Sequence, residues 1–256
     1  MKKILVLLSV FTFSFFFAQI SKTYDIEGVT RKAMVFEPSL KSVKIPVVFV
    51  FHGHGGNAAF ASKKIDFQNY YKEAIVVFME GIPGTSGYVV DKKGLLNGWQ
   101  MFPNEHGNRD VLFFDEVLKD LEKNYPVDPN RIYLIGHSNG ARFANVLWAE
   151  RSDRIAAICS VAAQGGNMIR GAKPLSVWMS MGENDPLVPY QMQKKSIEIV
   201  QENLKTDPET AVTKGDKIFY KGSNQTELVV EIRNAGHEFP QESITEIVDF
   251  FRRQHR

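Results

Sequence analysis

The chain has 256 residues, of which 44% are hydrophobic and 23% charged, so it is long enough to bury the core of one large globular domain. Its formal net charge is only +2 at pH 7, and no run of lysine and arginine forms a footprint for nucleic acid. Composition therefore argues against a disordered chain, and against nucleic acid or an anionic membrane surface as a partner.

The first eighteen residues differ from the rest, because Lys2 and Lys3 precede an apolar run that ends at Ala18. This order is typical of a secretory signal peptide. The apolar run is shorter than the roughly 20 residues that a membrane-spanning helix needs. We therefore expect cleavage after Ala18 and a secreted protein, extracellular or periplasmic, without stable membrane insertion. Its mature chain, residues 19–256, is expected to form a single domain with a formal charge of zero.

Hydrophobic patterning predicts strands and helices in alternation along the mature chain. Strands are expected at 23–27, 31–37, 45–51, 74–79, 131–135, 155–161, 175–181 and 227–232, and helices at 110–125, 139–150 and 243–253. Residues 217–232 indicate a hairpin. Residues 82–108, rich in glycine, proline and asparagine, predict a long functional loop. Strands that alternate with helices predict an α/β fold, with a mostly parallel central sheet and helices on both faces.

The segment Gly136-His137-Ser138-Asn139-Gly140 carries the strongest motif, a G-x-S-x-G sequence between a predicted strand and a predicted helix. So tight a turn forces the serine into a strained backbone conformation with its hydroxyl above the sheet, and it requires glycines two residues to either side. Ser138 is therefore predicted to be a catalytic nucleophile. The alternative is a glycine-rich turn in which the serine is incidental.

A serine nucleophile needs a general base, and the base needs an acid that orients it. In this type of fold the acid and then the histidine follow the serine along the chain. Asp185 follows the predicted strand 175–181 and is the candidate acid, with Glu183 as the alternative. His237 follows the last predicted strand and is the candidate base, because His255, the other histidine beyond Asp185, lies in a charged tail.

The oxyanion that develops during acyl transfer needs preorganised donors. One expected donor is the backbone N–H of Asn139, at the start of a helix whose dipole favours negative charge. The other is the N–H of His54, in the glycine-rich segment His52-Gly-His-Gly-Gly56. The imidazoles of His52 and His54 suggest a metal as an alternative, but no acid or third ligand accompanies them, so we expect neither a metal nor a cofactor.

Three further residues complete the candidate site and its surroundings. Trp99, in the long loop, is expected to be a substrate-binding wall, with packing in the core as the alternative. Arg109-Asp110 is the candidate for holding that loop through polar contacts. Cys159 is the only cysteine, which excludes an internal disulfide, and its apolar neighbours predict a small buried hydrophobe on a strand.

Together, these motifs resemble those of the secreted polyhydroxybutyrate depolymerase and feruloyl or acetylxylan esterase group. The likeness runs from Pro46 to Pro240 and rests on His52-Gly-His-Gly-Gly-Asn57, Gly98-Trp-Gln100, Tyr125-Pro-Val-Asp-Pro-Asn-Arg-Ile-Tyr133, Gly136-His-Ser-Asn-Gly140, Asp185-Pro-Leu-Val-Pro-Tyr190 and Gly236-His-Glu-Phe-Pro240. Relatives often have cysteines at His54 and near Ala149. This chain has neither, so we expect packing to hold the oxyanion loop.

The resemblance implies an α/β-hydrolase fold without a separate cap domain, and hydrolysis of carboxylic esters through an acyl-enzyme on Ser138. The substrates it implies are feruloyl or acetyl esters of polysaccharide, or short polyesters of the hydroxyalkanoate type. Two other functions stay open. One is a serine peptidase of the same fold, although such enzymes usually carry an additional propeller or acidic residues that grip a substrate amine. The other is a non-catalytic binding protein that retains the fold.

Overall fold

The structure is a computed structural model that describes residues 19–40, 42–84 and 91–256. The predicted signal peptide, residues 1–18, lies outside the described residues. Residues 85–90 of the predicted long loop also lie outside them. No helix in the described ranges is both long and apolar enough to cross a membrane.

A large sheet organises the described chain. Its strands are β1 (Gln19–Ile26), β2 (Val29–Phe36), β3 (Ile45–Phe51) and β4 (Ile75–Met79), followed, after the short pair β5 (Ile82–Pro83) and β6 (Asn97–Gly98), by β7 (Val127–His137), β8 (Ala157–Val161), β9 (Ser176–Gly182), β10 (Val212–Lys214), β11 (Lys217–Lys221) and β12 (Glu227–Arg233). The order across the sheet is β1-β2-β4-β3-β7-β8-β9-β12-β11-β10. From β4 to β12 all neighbours are parallel, and the outer strands are antiparallel. The mostly parallel sheet and the hairpin over 217–232 are confirmed.

Helices cover both faces of this sheet. They are α1 (Ala58–Lys64), α2 (Arg109–Asn124), α3 (Asn139–Arg151), α4 (Tyr190–Leu204) and α5 (Ile244–Arg253). Strand β3 shows how the faces separate, because successive side chains on a strand point to opposite sides. Phe49 and Phe51 pack into the apolar cluster that contains α2, α3 and α4. Val48 and Val50 pack into the cluster that contains α1 and α5.

The hydrophobic pattern did not predict α1 or α4. Helix α1 has only seven residues, and its buried positions are the small side chains of Ala58, Ala61 and Ser62. Helix α4 buries the polar residues Gln193 and Ser196, which interrupt its apolar face. Polar residues at buried positions hide a helical period, since the period is detected from apolar side chains alone.

Parallel strands bring their carboxyl ends to the same edge of the sheet, where ligands bind in open α/β folds. Strands β3, β7, β9 and β12 are followed at this edge by residues 52–56, Ser138, Asp185 and His237 respectively. The topology therefore gathers on one side all the side chains and amides that the motifs selected.

Candidate active site

Ser138 occupies a strained turn between β7 and α3. Its backbone angles, φ 56° and ψ −121°, lie outside the regions that an L-residue favours. Its N–H donates to the carbonyl of Val161 on the neighbouring strand at 2.9 Å. A Cβ at Gly136 would lie 2.4 Å from the Cα of Ala141, and one at Gly140 would lie 2.3 Å from the carbonyl oxygen of Phe51. Both glycines are therefore needed for the strand and helix to approach, as the motif predicts.

His237 and Asp185 meet above the ends of β9 and β12. The Nδ1 atom of His237 lies 2.8 Å from Oδ2 of Asp185, whose side chain is completely buried. Glu183, the alternative acid, is exposed to solvent. The geometry therefore pairs the histidine with Asp185 and leaves Nε2 as the ring atom available to a reacting group.

The Asp185 carboxylate is ionised, and each of its two oxygens accepts two hydrogen bonds. Its Oδ1 accepts from the N–H groups of Leu187 and Val188 at 2.8 and 2.9 Å, and Gln193 Nε2 lies 3.1 Å from Oδ2. Burial raises the pKa of this carboxyl, but the hydrogen bonds from Val188, His237 and Leu187 outweigh burial and leave the pKa below its ordinary value. The carboxylate therefore stays charged and holds the imidazole in one orientation.

The backbone also joins the acid loop to the base loop. Glu183 N–H donates to the carbonyl of Arg233, and Asn184 N–H donates to that of Ala235, each at 3.0 Å. These two bonds extend the parallel pairing of β9 with β12 beyond the strands themselves. The distance between acid and base is thus fixed by the sheet.

The N–H groups of His54 and Asn139 are the candidate oxyanion donors. Both residues line the cleft that contains Ser138. Over the described ranges, no carbonyl or side chain accepts a hydrogen bond from either N–H. The Asn139 N–H is one of the unpaired donors at the start of α3, where the helix dipole adds positive potential. Both groups are therefore available to an anion.

His52 holds the loop that carries His54. Its ring lies between two backbone groups, with Nδ1 2.7 Å from the carbonyl of Gly53 and the N–H of Gly81 donating to Nε2 at 3.0 Å. One ring nitrogen must therefore donate while the other accepts, which only a neutral imidazole can do. Burial lowers the pKa of His52 to about 4, although its bond to Gly53 acts in the opposite direction. His52 is a structural residue.

Trp99 corrects one prediction, because it is not a wall of the substrate cleft. Its side chain is 0% exposed and stacks on Phe143, with the ring centroids 5.3 Å apart. Its indole Nε1–H donates to the backbone carbonyl of His52 at 2.9 Å. A large ring on a glycine-rich loop is thus folded inwards, where it supports the oxyanion loop from beneath. This contact and the His52 ring hold the loop that carries His54.

The Asn139 side chain fixes Trp99 in turn. Its Oδ1 accepts from the Trp99 backbone N–H at 2.8 Å, and its Nδ2 donates to the Trp99 carbonyl at 3.2 Å. The amide therefore pairs with the loop much as a neighbouring strand would. Asn139 was predicted only as a backbone donor, and this second role of its side chain was missed.

Asp110 anchors the far end of the same loop, which confirms the prediction that Arg109-Asp110 holds it. Its Oδ2 accepts from the backbone N–H of Gln100 at 2.7 Å, and its Oδ1 pairs with Arg31 at 2.7 Å. Both charged side chains are buried. Arg109 Nε lies 3.6 Å from the same carboxylate.

Two clefts flank the candidate triad. The acyl cleft, as we name the one that contains Ser138, has a volume of about 290 Å³ and an apolar outer wall of Met101, Leu187, Val188 and Met192. Arg142 also lines it and donates to the carbonyls of Met101, Gln164 and Gly165. The α1 cleft, of about 250 Å³, lies between α1 and residues 237–239, with His237 and Gly53 among its walls.

Gln193 and Arg142 are site residues that the sequence motifs missed. Gln193 is buried against Asp185 and also donates to the Val188 carbonyl at 2.7 Å. Arg142 joins the loop after β6 to the loop after β8. One signal could have identified them, namely a polar residue on the buried face of a helix that follows the acid or the nucleophile. The sequence alone does not show which face of that helix is buried.

Cys159 is buried on β8 as predicted, and burial raises the pKa of its thiol, which keeps it protonated. Across residues 19–40, 42–84 and 91–256, no group of three or more histidine, cysteine, aspartate or glutamate side chains is arranged to hold a metal ion.

Several known proteins similar to this chain are named esterases. NocK of Nocardia uniformis subsp. tsuyamanensis, provisionally named an esterase, is 30% identical over 153 residues, which cover 57% of this chain and 41% of that relative. Feruloyl esterase D of Neurospora crassa is 22% identical over 233 residues, which cover 86% of this chain and 78% of the relative. The chain therefore spans less than half the length of NocK. No protein-family model matches it.

A solved structure agrees with these relatives. The acetyl xylan esterase from Aspergillus awamori superposes with a TM-score of 0.62 at 13% identity, covering 91% of this chain and 98% of that one. The predicted α/β-hydrolase fold is confirmed. The names of these proteins also confirm the resemblance to the feruloyl and acetylxylan esterase group, whereas its polyhydroxybutyrate depolymerase branch stays a prediction.

Proposed function

We propose that this protein is a serine esterase that hydrolyses carboxylic esters, with Ser138 as nucleophile, His237 as general base and Asp185 as the acid that orients the base. One observation carries the proposal. The imidazole of His237 lies 2.8 Å from a buried carboxylate, at the sheet edge where Ser138 is held in a strained turn. Strain of this kind costs about 1–3 kcal/mol and concentrates at functional sites.

In the proposed reaction, the Ser138 hydroxyl attacks the ester carbonyl carbon while His237 Nε2 takes its proton. The carbonyl oxygen becomes an anion that accepts hydrogen bonds from the N–H groups of His54 and Asn139. Removing one such donor typically costs about 3 kcal/mol of transition-state stabilisation. The imidazolium that forms beside Asp185 is stabilised by the carboxylate, which does not itself take the proton.

Collapse of the tetrahedral intermediate breaks the bond to the alcohol oxygen, which receives the proton from His237. The acyl group stays on Ser138 as an ester. A water molecule then repeats the sequence, giving its proton to His237 and its oxygen to the acyl carbon, so that the acid is released and the serine regenerated.

For the substrate, we propose esters of hydroxycinnamic or acetic acid with polysaccharide hydroxyls, with short hydroxyalkanoate polyesters as the second class. The apolar wall of the acyl cleft, which includes Met101, Leu187 and Met192, suits a flat hydrocarbon-rich acyl group such as feruloyl. The names feruloyl esterase and acetyl xylan esterase among the similar proteins support the first class.

Labelling with a fluorophosphonate tests the nucleophile directly, since this reagent bonds to an activated serine. We expect wild type to be labelled on Ser138 and Ser138→Ala to be unlabelled. Ser152→Ala is the matched control, because Ser152 follows the last turn of α3 while Ser138 precedes the first. An unlabelled wild type that folds normally would support the non-catalytic binding protein instead.

A substrate panel tests the chemical class. The panel contains p-nitrophenyl acetate, methyl ferulate, acetylated xylan, hydroxybutyrate oligomers and a set of dipeptide p-nitroanilides. We expect turnover of the esters and none of the anilides. Preferential cleavage of the anilides would replace the esterase proposal with the peptidase.

We also propose that the protein is secreted, on the strength of residues 1–18 alone. N-terminal sequencing of the exported protein should begin at Gln19. A protein that keeps Met1 in the membrane fraction would contradict this.

A further inference from the structure

The α1 cleft has no assigned role in acyl transfer so far. Its walls are apolar, from Phe60, Ala61 and Ile65 on one side and Phe239 on the other. His52, Gly53, His137 and His237 also line it. With a volume of about 250 Å³, it lies slightly below the roughly 300–1,000 Å³ of pockets that hold drug-sized ligands. The cleft therefore has room for about one ring of a substrate.

The position of Gly53 connects this cleft to the nucleophile. A Cβ placed on Gly53 would lie 3.3 Å from Nδ1 of His137 and 3.4 Å from the Cβ of Ser138, so Gly53 lies beside the turn that carries the nucleophile. Ser138, Asn139 and His54 line the acyl cleft, whereas Gly53 and His237 line the α1 cleft. The two clefts thus open on either side of the point where the ester carbon must sit.

During the reaction, the acyl half and the alcohol half of the ester must lie on different sides of Ser138. When the intermediate collapses, the bond from carbon to the alcohol oxygen breaks and that oxygen takes the proton of His237, so the alcohol half must lie against His237. The acyl half remains bonded to Ser138 on the side of Asn139. We propose that the α1 cleft is the binding site for the alcohol half of the ester, and that this alcohol is a sugar ring. This inference rests on the proposed esterase function.

Three side chains at the mouth of the cleft favour a sugar over an alkyl alcohol. Phe60 lines the cleft and is 61% exposed, so its ring is accessible to a substrate. Its ring offers a flat surface to the carbon-bound hydrogens of a sugar. Lys64 and Glu238, also exposed at the mouth, supply a hydrogen-bond donor and acceptors for the hydroxyls around it.

The test compares two esters of one acid, methyl ferulate and feruloylated arabinose, so that contacts in the acyl cleft are the same for both. We expect wild type to prefer the sugar ester in kcat/KM. In Phe60→Ala the ratio of kcat/KM for the sugar ester to that for the methyl ester should fall about tenfold, as for the loss of one well-packed aromatic contact. Phe60→Tyr, which keeps the ring, should retain the ratio.

Tyr70→Ala provides the matched control, because Tyr70 is an exposed aromatic outside both clefts. It should leave the ratio at its wild-type value. Turnover of both esters with an unchanged ratio in Phe60→Ala would overturn the sugar site while leaving the esterase proposal intact. If wild type turned over none of the three substrates, namely the two ferulate esters and p-nitrophenyl acetate, both the sugar site and the esterase proposal would be overturned.

Discussion

The imidazole Nε2 of His137 lies 2.6 Å from the backbone carbonyl oxygen of His237. Burial lowers the pKa of His137 to about 4, despite the opposing effect of this hydrogen bond, so the ring is neutral at pH 7 and its Nε2–H donates to the carbonyl. The residue before the nucleophile therefore fixes the backbone of the proposed base. His137 is a positioning residue.

We expect His137→Ala to lower kcat by up to about a hundredfold with a smaller change in KM, because small misplacements of a catalytic group carry costs of this size. Steady-state kinetics on p-nitrophenyl acetate measure both constants. His137→Gln, which can still donate to the carbonyl, should recover part of the loss. A kcat within twofold of wild type in His137→Ala would show that the sheet alone positions His237.

Asp185 and Glu183 provide a matched pair for testing the acid. Asp185→Asn should lower kcat by about ten-thousandfold, because a neutral partner no longer stabilises the imidazolium or its orientation. Glu183→Gln removes one charge from the same loop but at an exposed position, and should leave kcat within about twofold. If the two variants exchanged these effects, Glu183 would be the acid. Kinetics on p-nitrophenyl acetate and unfolding by urea separate catalytic loss from instability.

Trp99 should affect stability and all substrates together. Trp99→Ala should lower the free energy of unfolding by about 3–5 kcal/mol, as for other buried aromatic residues. In the milder Trp99→Phe, the lost hydrogen bond to His52 costs about 1 kcal/mol. We expect Trp99→Phe to reduce kcat/KM for methyl ferulate and p-nitrophenyl acetate by similar factors, since the oxyanion loop serves both.

Trp148→Phe is the control for Trp99→Phe. Trp148 is equally buried, and its Nε1–H donates to the Lys173 carbonyl at 2.9 Å, away from both clefts. Trp148→Phe should lower the free energy of unfolding by about as much as Trp99→Phe does, but should leave kcat/KM at its wild-type value. A selective loss on methyl ferulate in Trp99→Phe would restore the original expectation that Trp99 contacts the acyl group.

His52 should make the fold sensitive to acid. The pKa of His52 is about 4 in the folded protein, whereas its ordinary value is 6.5. Between these two pH values the imidazole is therefore protonated in the unfolded chain and neutral in the folded chain. Stability therefore falls as the pH drops through this window, by about 2 kcal/mol between pH 7 and pH 4.5 for this group. Asp110, His54 and Arg31 also act on the ring, but less than burial does.

Urea unfolding at the two pH values, in wild type and His52→Gln, measures this contribution. The variant should lose less stability on acidification, by about the same 2 kcal/mol. His137 titrates in the same window in both proteins and cancels in the comparison. Equal pH dependence in the two proteins would show that His52 is protonated without cost.

The sequence was sufficient for the positions of the buried parallel strands along the chain and for the residues at their ends, but not for the order of the strands across the sheet. Buried parallel strands have continuous apolar runs, and β3, β4 and β8 show them. The turn at Ser138 could be predicted because sterics leave few residues possible at Gly136 and Gly140. Asp185 and His237 were selected from their places after the predicted strands that correspond to β9 and β12.

Burial and polar pairing could not be predicted in the same way. Whether Trp99 points outwards or inwards depends on Asn139, 40 residues away, and on the carbonyl of His52. The buried face of α4 includes two polar residues, because Gln193 binds Asp185 and Ser196 accepts a bond from Gly165. The partners of Trp99 and Ser196 are distant in sequence, and Gln193 binds a carboxylate eight residues before it, which the apolar period does not reveal.

The pairing of the acid loop with the base loop has a consequence for folding. Asp185 and His237 are 52 residues apart, and their contact depends on β12 docking beside β9. Contacts between residues far apart in sequence form late in folding, because closing the intervening loop costs conformational entropy before the contact can stabilise the chain. A refolding chain would therefore lack a positioned base until β12 has docked beside β9. Enzymatic activity should thus return in the final kinetic phase of refolding, after the helical signal.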